Sequence, residues 1–182
     1  MVTHHELNQK LHAAIGAFVS EFAALESIRL MHVLVVLSLD QTLAMCASEL
    51  LEFHNKLRLI EYMAKERGVS GLLFKDLKTA LNAAAKISEK RNIIAHNPGI
   101  LFLMPNVPTL RNGHALGVSY PLTKRKRTNT GTSARDVAKS AVMEVHEIDA
   151  LTRKTADLNL RVMKGLIERL DKHKRGVTTA NV

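Results

Sequence analysis

A regular run of apolar residues that ends abruptly at a proline and a glycine most constrains how this 182-residue chain can fold. The apolar side chains recur every three or four residues, at Leu73, Leu77, Ala80, Ala84, Ile87 and Ile94. This spacing is typical of a helix with one buried face. Pro98 disfavours helical geometry at the residue before it and Gly99 follows, so we expect the helix to end at or just after His96.

One charged residue interrupts the apolar face of this predicted helix. At about 100° per residue, Arg91 falls in the middle of the apolar stripe, while Glu89, Asn92 and His96 project from the other side. An arginine that faces a core loses hydration that apolar contacts do not restore. We therefore expect Arg91 to face a partner or a cleft, and such breaks in a local pattern are where functional sites are expected.

Similar periodicity predicts a long first helix that opens with a capping box at Thr3 and Glu6. Its apolar stripe comprises Leu7, Leu11, Ile15, Phe18, Phe22, Leu25 and Ile28. The run His32–Leu39 is apolar all round and fits a buried helix end better than a strand, although its valines also suit a strand. A second helix is expected from an N-cap at Asp40, through Leu50, to a stop at Gly68.

A last long helix is predicted near the end of the chain, and Lys172–Arg175 suit the negative end of its dipole. Its apolar face comprises Ile148, Leu151, Leu158, Val162, Leu166 and Leu170. Long helices with short connections pack antiparallel. The predicted fold class is therefore all-α: an antiparallel bundle of about four to five long helices, forming a single domain over residues 1–176.

Residues 100–140 differ in character and are predicted to form an insertion before the last helix. All 4 prolines lie between positions 98 and 121, and Asn112-Gly113 is a hairpin turn signal. The strand candidates are Ile100–Met104 and Ala115–Leu122, although Val107–Leu110 competes for the register. The basic run Lys124–Arg127 comes next and predicts an exposed basic loop.

The formal net charge of +9 favours a polyanionic partner such as nucleic acid, or an acidic protein, although it also fits a basic protein with neither. Aromatic residues make up only 4%, so phosphate contacts suit the composition better than base stacking. The candidate RNA-binding residues are Arg111, Lys124, Arg125, Lys126 and Arg127. The alternative for the basic run is a solvated loop.

The sequence Arg91-Asn92-Ile93-Ile94-Ala95-His96 resembles the signature of the HEPN superfamily: an arginine, a polar residue, three variable residues and a histidine. In that family the motif lies near the end of a helix in a small helical domain, and paired subunits form a metal-independent RNA-cleaving site. The resemblance covers most of residues 6–97 and 143–173. Some members carry a tyrosine where this chain has Pro98, so a mechanism that uses that tyrosine is unsupported.

Cleavage without a metal drives the ribose 2′-hydroxyl onto the adjacent phosphate, which requires proton transfer and positive charge. The resemblance implies proton transfer by His96 and phosphate stabilisation by Arg91. Asn92 would position the phosphate or hold one tautomer of His96, with Glu89 in support. The alternatives are structural: His96 caps helix carbonyls, Glu89 is a surface charge, and Arg91 pairs with a buried carboxylate. The carboxylates considered are Glu26, Glu49 and Glu61.

Each chain supplies one motif histidine, so the two proton-transfer roles imply a homodimer with a twofold axis. The resemblance to the HEPN superfamily also implies a role as a toxin or in phage defence, with an antitoxin or regulatory protein as partner. No cofactor is expected, because His4, His5 and His12 form no recognisable metal-ligand set. With Cys46 as the only cysteine and no apolar run near the roughly 20 residues that span a bilayer, we expect a cytoplasmic protein without a membrane partner.

Two rival functions remain open at this point. The first is a non-catalytic HEPN-like module that binds RNA, a nucleotide or a protein partner in the same cleft. The second is a helical dimer that serves only as a scaffold. Stable binding of uncut RNA would favour the module, and toxicity relieved by changing His96 would favour the enzyme.

Overall fold

The computed structural model describes residues 4–96, 99–103, 114–119 and 142–180 of the chain. Helices make up most of these ranges, which confirms the predicted helical character. In chain order they are α1 (His4–Ala23), π1 (Ala24–Arg29), α2 (Leu30–Leu37), α3 (Gln41–Leu50), α4 (Phe53–Glu66), α5 (Gly71–His96), α6 (Val145–Asp157), π2 (Leu158–Met163) and α7 (Lys164–Ala180). None of the helices in these ranges combines the length and apolar character that a bilayer crossing requires.

A small antiparallel sheet lies between α5 and α6 in the chain. Its strands, in the order β1-β2-β3, are β1 (Gly99–Leu103), β2 (His114–Ser119) and β3 (Val142–Glu144). Leu101 pairs with Leu116 and Val118 with Met143. The Asn112-Gly113 turn and the competing segment Val107–Leu110 lie outside the described residues, so an insertion over 100–140 stays a prediction.

The chain divides into two compact units, each made of two stretches. Unit 1 comprises Met1–Val19 and Lys90–Thr152, and unit 2 comprises Ser20–Glu89 and Arg153–Val182. The described part of unit 1 contains the sheet, and its most deeply buried side chains are Leu11, Phe18, Ile94 and Ile148. A single domain over residues 1–176 is not tested by this division and stays a prediction.

Helix α2 is the central element of unit 2, where it contacts π1, α3, α4 and α7. All of its residues except the exposed His32 are apolar, as expected for a helix that contacts several others. Leu30, Val33 and Leu34 are fully buried. The interpretation of the apolar run as a buried helix end is confirmed as far as Leu37, after which Ser38 is extended.

Three of the local start and stop signals act where they are expected. Asp40 caps α3, since its Oδ1 accepts a hydrogen bond from the backbone N–H of Leu43 at 3.1 Å. Gly68 follows α4 with a φ of +66°, a left-handed conformation that glycine adopts without steric cost. Helix α5 extends to His96, as the Pro98-Gly99 stop predicts.

The prediction that Lys172–Arg175 lie at the end of the last helix is wrong, because α7 continues to Ala180 and has no basic residue in its last turn. Thr3 of the predicted capping box lies outside the described residues.

The prediction of one continuous second helix is wrong, because Leu51 and Glu52 are extended and separate α3 from α4. The buried residues of α3 are Ala44 and Ser48, and the buried apolar residues of α4 are Phe53, Leu57, Ile60 and Ala64. On one unbroken helix these two groups would point about 170° apart. The break lets both groups become buried, and it leaves Leu50 84% exposed.

Two residues assigned to apolar faces, Ile28 and Val162, are instead 45% and 40% exposed. Each lies in a π-helical segment, which accommodates an extra residue in one turn and so rotates the faces on either side. The buried residues of each segment and its continuation are spaced i, i+5: Leu25 and Leu30, Leu158 and Met163. The sequence-based assignment failed here because it assumed an uninterrupted α-helical period.

Candidate active site

Helix α5 carries the predicted catalytic residues in its last turns. Ile87 and Ile94 are 1% and 3% exposed, and Arg91 between them is partly buried. Glu89 and Asn92 are exposed. This burial follows from the helical period, which places Arg91 on the apolar side of α5 and the other two on the solvent side.

Arg91 and Asn92 contact each other through their side chains. Arg91 Nη1 donates a hydrogen bond to Asn92 Oδ1 at 3.2 Å. The amide oxygen is a neutral acceptor, so this contact orients the guanidinium without neutralising its charge.

Two of the carboxylates considered as structural partners for Arg91 hold lysines. Glu26 Oε1 lies 3.5 Å from the buried Lys56 Nζ, and Glu61 Oε1 lies 3.1 Å from Lys65 Nζ. Glu49 is exposed on α3. All three carboxylates belong to unit 2. Within that unit, lysines compensate the charges of Glu26 and Glu61.

The remaining predicted site residues fall where side chains are not described. His96 is the last residue of α5, and only its backbone is described. Arg111, Lys124, Arg125, Lys126 and Arg127 lie outside the described ranges altogether. Proton transfer by His96 and phosphate binding by the basic run therefore stay predictions.

Sequence reasoning missed a buried amide, Asn159, which lies in π2 and is 2% exposed. Its Nδ2 donates to the backbone carbonyl of Glu21 at 2.9 Å and to Glu21 Oε2 at 3.1 Å. Its Oδ1 is buried without a hydrogen-bond partner among the residues whose positions are described. The available signal was a polar residue next to Leu158 on the predicted apolar face.

A second missed group consists of three basic side chains around the ends of α2 and α4. Arg67 Nε donates to the carbonyl of Leu37 at 2.9 Å, and Lys174 Nζ donates to the carbonyl of Ser38 at 2.9 Å. His173 Nε2 lies 3.3 Å from the carbonyl of Arg67. These groups line a cavity of about 90 Å³. Their contacts satisfy carbonyl groups at helix C-termini, which is a structural role.

A larger groove, of about 390 Å³, lies between α5 and the segment π2–α7 of unit 2. Two arginines line it, and both are paired with carboxylates. Arg169 Nη1 lies 2.8 Å from Asp76 Oδ2, and Arg161 Nε lies 3.2 Å from Asp157 Oδ1. The ion pairs therefore compensate the charge of both arginines, which makes this groove a poor candidate for binding phosphate.

Within the described ranges, no group of three or more His, Cys, Asp or Glu side chains is arranged to hold a metal ion. Comparison of the chain with protein-family models, with curated proteins and with solved structures finds no match. Membership of the HEPN superfamily therefore stays a prediction from the Arg91–His96 motif and its position at the end of a long helix.

Proposed function

We propose that this protein is a HEPN-type, metal-independent endoribonuclease that cleaves RNA at a site shared by the two subunits of a homodimer. The observation that carries the proposal is the burial and the hydrogen bonding of Arg91 on α5. It is a partly buried guanidinium with a neutral acceptor at Asn92, in the helix that ends at His96. A guanidinium on the apolar side of a helix, oriented by a neighbouring amide, has the planar geometry that suits two oxygens of a phosphate.

In the proposed reaction, the 2′-oxygen of a ribose attacks the adjacent phosphorus and the bond from phosphorus to the 5′-oxygen breaks. One His96 accepts the proton of the 2′-hydroxyl, and His96 of the partner subunit donates a proton to the departing 5′-oxygen. Arg91 stabilises the charge on the pentacovalent phosphate, and Asn92 orients it. The products are a 2′,3′-cyclic phosphate and a 5′-hydroxyl.

A homodimer is part of the proposal because of helix geometry. Arg91 and His96 diverge by about 140° on an ideal helix, so one α5 does not bring both onto the same phosphate. Two α5 helices that face each other across a twofold axis supply the missing groups.

The proposal also includes the localisation, the biological role and the architecture of the protein. We place the protein in the cytoplasm, as a toxin or phage-defence effector restrained by an antitoxin or regulatory protein. Its architecture is proposed to be an antiparallel helical bundle with a hairpin and basic loop inserted over residues 100–140. The exposed free Cys46 suits a reducing compartment.

The decisive experiment measures RNA cleavage in EDTA by the parent protein and by Arg91→Ala, His96→Ala and Arg91→Lys. We expect the parent to leave cyclic-phosphate ends and His96→Ala to lose about 10²–10⁴-fold in rate, the range typical of proton transfer. Arg91→Lys should recover only part of the loss in Arg91→Ala, because an ammonium keeps the charge without the planar fork.

The matched control is Lys90→Ala, which removes an exposed charge next to Arg91 and should cleave like the parent. Thermal melting of all variants separates catalytic from structural effects. Full EDTA-resistant cleavage by His96→Ala would refute the proposed mechanism. Stable binding of uncut RNA by the parent would favour the non-catalytic module instead.

A further inference from the structure

Basic side chains surround a small cavity at the end of α2, within unit 2. Arg67, His173 and Lys174 line this cavity of about 90 Å³ together with the apolar Val36 and Leu170. We call it the basic cavity. Its volume is several times the ~10–15 Å³ that one water molecule requires, so it has room for a group of a few atoms.

The guanidinium of Arg67 is only partly used by its contacts within the protein. Its Nε donates to the carbonyl of Leu37 at 2.9 Å. Among the described residues, its two terminal nitrogens have neither a hydrogen-bond partner nor a carboxylate at ion-pair distance. Arg67 is half-buried, and a charge withdrawn from water without a counter-charge is costly. The geometry therefore leaves two N–H-bearing groups and a positive charge for a ligand.

The surroundings supply only part of the missing negative charge. None of the described residues that line the cavity is acidic. Nearby along the chain, Asp171 pairs with Arg175 and Glu66 is exposed. The end of α2 that Arg67 contacts is equivalent to about half of a negative elementary charge. Lys174 Nζ donates to the carbonyl of Ser38 at the same helix end, at 2.9 Å, so two cations share that half charge.

We infer that the basic cavity binds a phosphate group. A planar guanidinium with both terminal nitrogens available matches two oxygens of a phosphate, and such charged hydrogen bonds are strong. His173 and Lys174 line the same cavity and bring further N–H donors toward a tetrahedral anion. The hydrogen bond of Arg67 to the carbonyl of Leu37 holds the fork in place before the ligand arrives.

The inference is independent of the proposed nuclease activity, because the basic cavity belongs to unit 2 and Arg91 to unit 1. Calorimetric titration of the full-length protein with inorganic phosphate, in EDTA and at constant ionic strength, provides the test. We expect a dissociation constant on the order of 1 mM, as for a small anion held by a few charged hydrogen bonds. Arg91→Ala should retain this binding, which separates the basic cavity from the proposed catalytic site.

Arg67→Gln is the most informative variant. The amide nitrogen of glutamine can take the place of Arg67 Nε and keep the hydrogen bond to Leu37, while the charge and the two terminal nitrogens are lost. We expect the affinity for phosphate to fall by more than about tenfold, and melting without phosphate to stay close to the parent. Arg67→Lys should recover part of the affinity, because it keeps the charge without the fork.

The matched control is Arg58→Gln, which makes the same change at an exposed arginine on the same helix, α4, and should bind phosphate like the parent. A second measurement on the parent does not depend on how Arg67→Gln folds. At constant pH, phosphate should shift the NMR ring signals of His173 and leave those of His54, which is exposed on α4, in place. His173→Asn and His54→Asn identify the two sets of signals.

Adenosine monophosphate distinguishes the source of the phosphate group. Tighter binding of this nucleotide than of inorganic phosphate would identify a nucleotide ligand, and an affinity no tighter would identify the free ion. Absence of phosphate binding by the parent, unchanged affinity in Arg67→Gln or unmoved His173 signals would overturn the inference. A parent that binds phosphate here without cutting RNA refutes the nuclease proposal alone, and a nuclease without this binding refutes the basic cavity alone.

Discussion

The amide of Asn159 links two parts of unit 2 that are 138 residues apart in sequence. Its Nδ2 donates two hydrogen bonds to Glu21, one to the backbone carbonyl and one to the carboxylate. A buried amide that donates to a carboxylate forms a stronger hydrogen bond than a neutral pair. The side chain therefore stabilises the contact of π2 with the last turn of α1, although its own oxygen lacks a partner within the described structure.

Replacement of Asn159 by alanine should reduce the free energy of unfolding by about 1–3 kcal/mol, because the partly buried Glu21 loses two hydrogen bonds that the amide donates. Urea denaturation measures this change. The matched control is Asn82→Ala, at an exposed position on α5, which should stay within about 0.5 kcal/mol of the parent. Equal stabilities for the two variants would show that the Asn159–Glu21 contact contributes nothing.

At the scale of the secondary-structure element, each π segment determines which side chains of a long helical stretch lie on the same face. Residues 4–37 and 145–180 are helical without interruption, and each contains one π segment. In π1, Ser27 Oγ donates to the carbonyl of Ala23 at 2.6 Å, a side-chain contact within the widened turn. The segments allow apolar residues on both sides of the widened turn to be buried, although their sequence spacing is not α-helical.

Deletion of Ile28 should convert π1 into ordinary α-helix while the buried residues on either side stay in phase. Leu25 and Leu30 would then be separated by one α-helical turn. We expect this variant to melt cooperatively, close to the parent. Circular dichroism during heating provides the measurement.

The matched control is deletion of Ala17, an exposed residue within α1. That deletion rotates the buried residues before it by about 100° relative to those after it, so we expect a large loss of stability. If removal of Ile28 is as damaging as removal of Ala17, the π segment is not a simple one-residue insertion.

At the scale of the whole molecule, the net charge of +9 should make RNA binding strongly dependent on salt. Contacts to phosphate release counterions and carry little sequence preference. The run Lys124–Arg127 holds a large share of this charge in one place. It lies outside the described residues, so its contribution has to be measured.

Replacement of Lys124–Arg127 by alanine should weaken RNA binding and flatten its salt dependence, by about 0.7 in the log–log slope for each lost contact to a single strand. Cleavage at saturating RNA should change little. The control removes the same charge from exposed positions on helices, at Lys75, Lys86, Lys154 and Lys164. If both quadruple variants show the same slope, the basic run is a solvated loop without a specific role.

Features that depend on neighbouring residues were predictable from the amino-acid order. The Asp40 cap, the Gly68 stop and the end of α5 each follow from the chemistry of a few adjacent residues. The partial burial of Arg91 on the apolar side of α5 also follows, because helical periodicity is local. The catalytic roles of Arg91, Asn92 and His96 stay predictions.

Other features required the packed molecule. The break at Leu51–Glu52 lets two opposed sets of side chains become buried, and the π segments bring Leu30 and Met163 into phase with the rest of their helices. The Asn159–Glu21 contact joins residues that are distant in sequence. Such features minimise the free energy of contacts between separate elements, and a single helix contains no information about the surface it will meet.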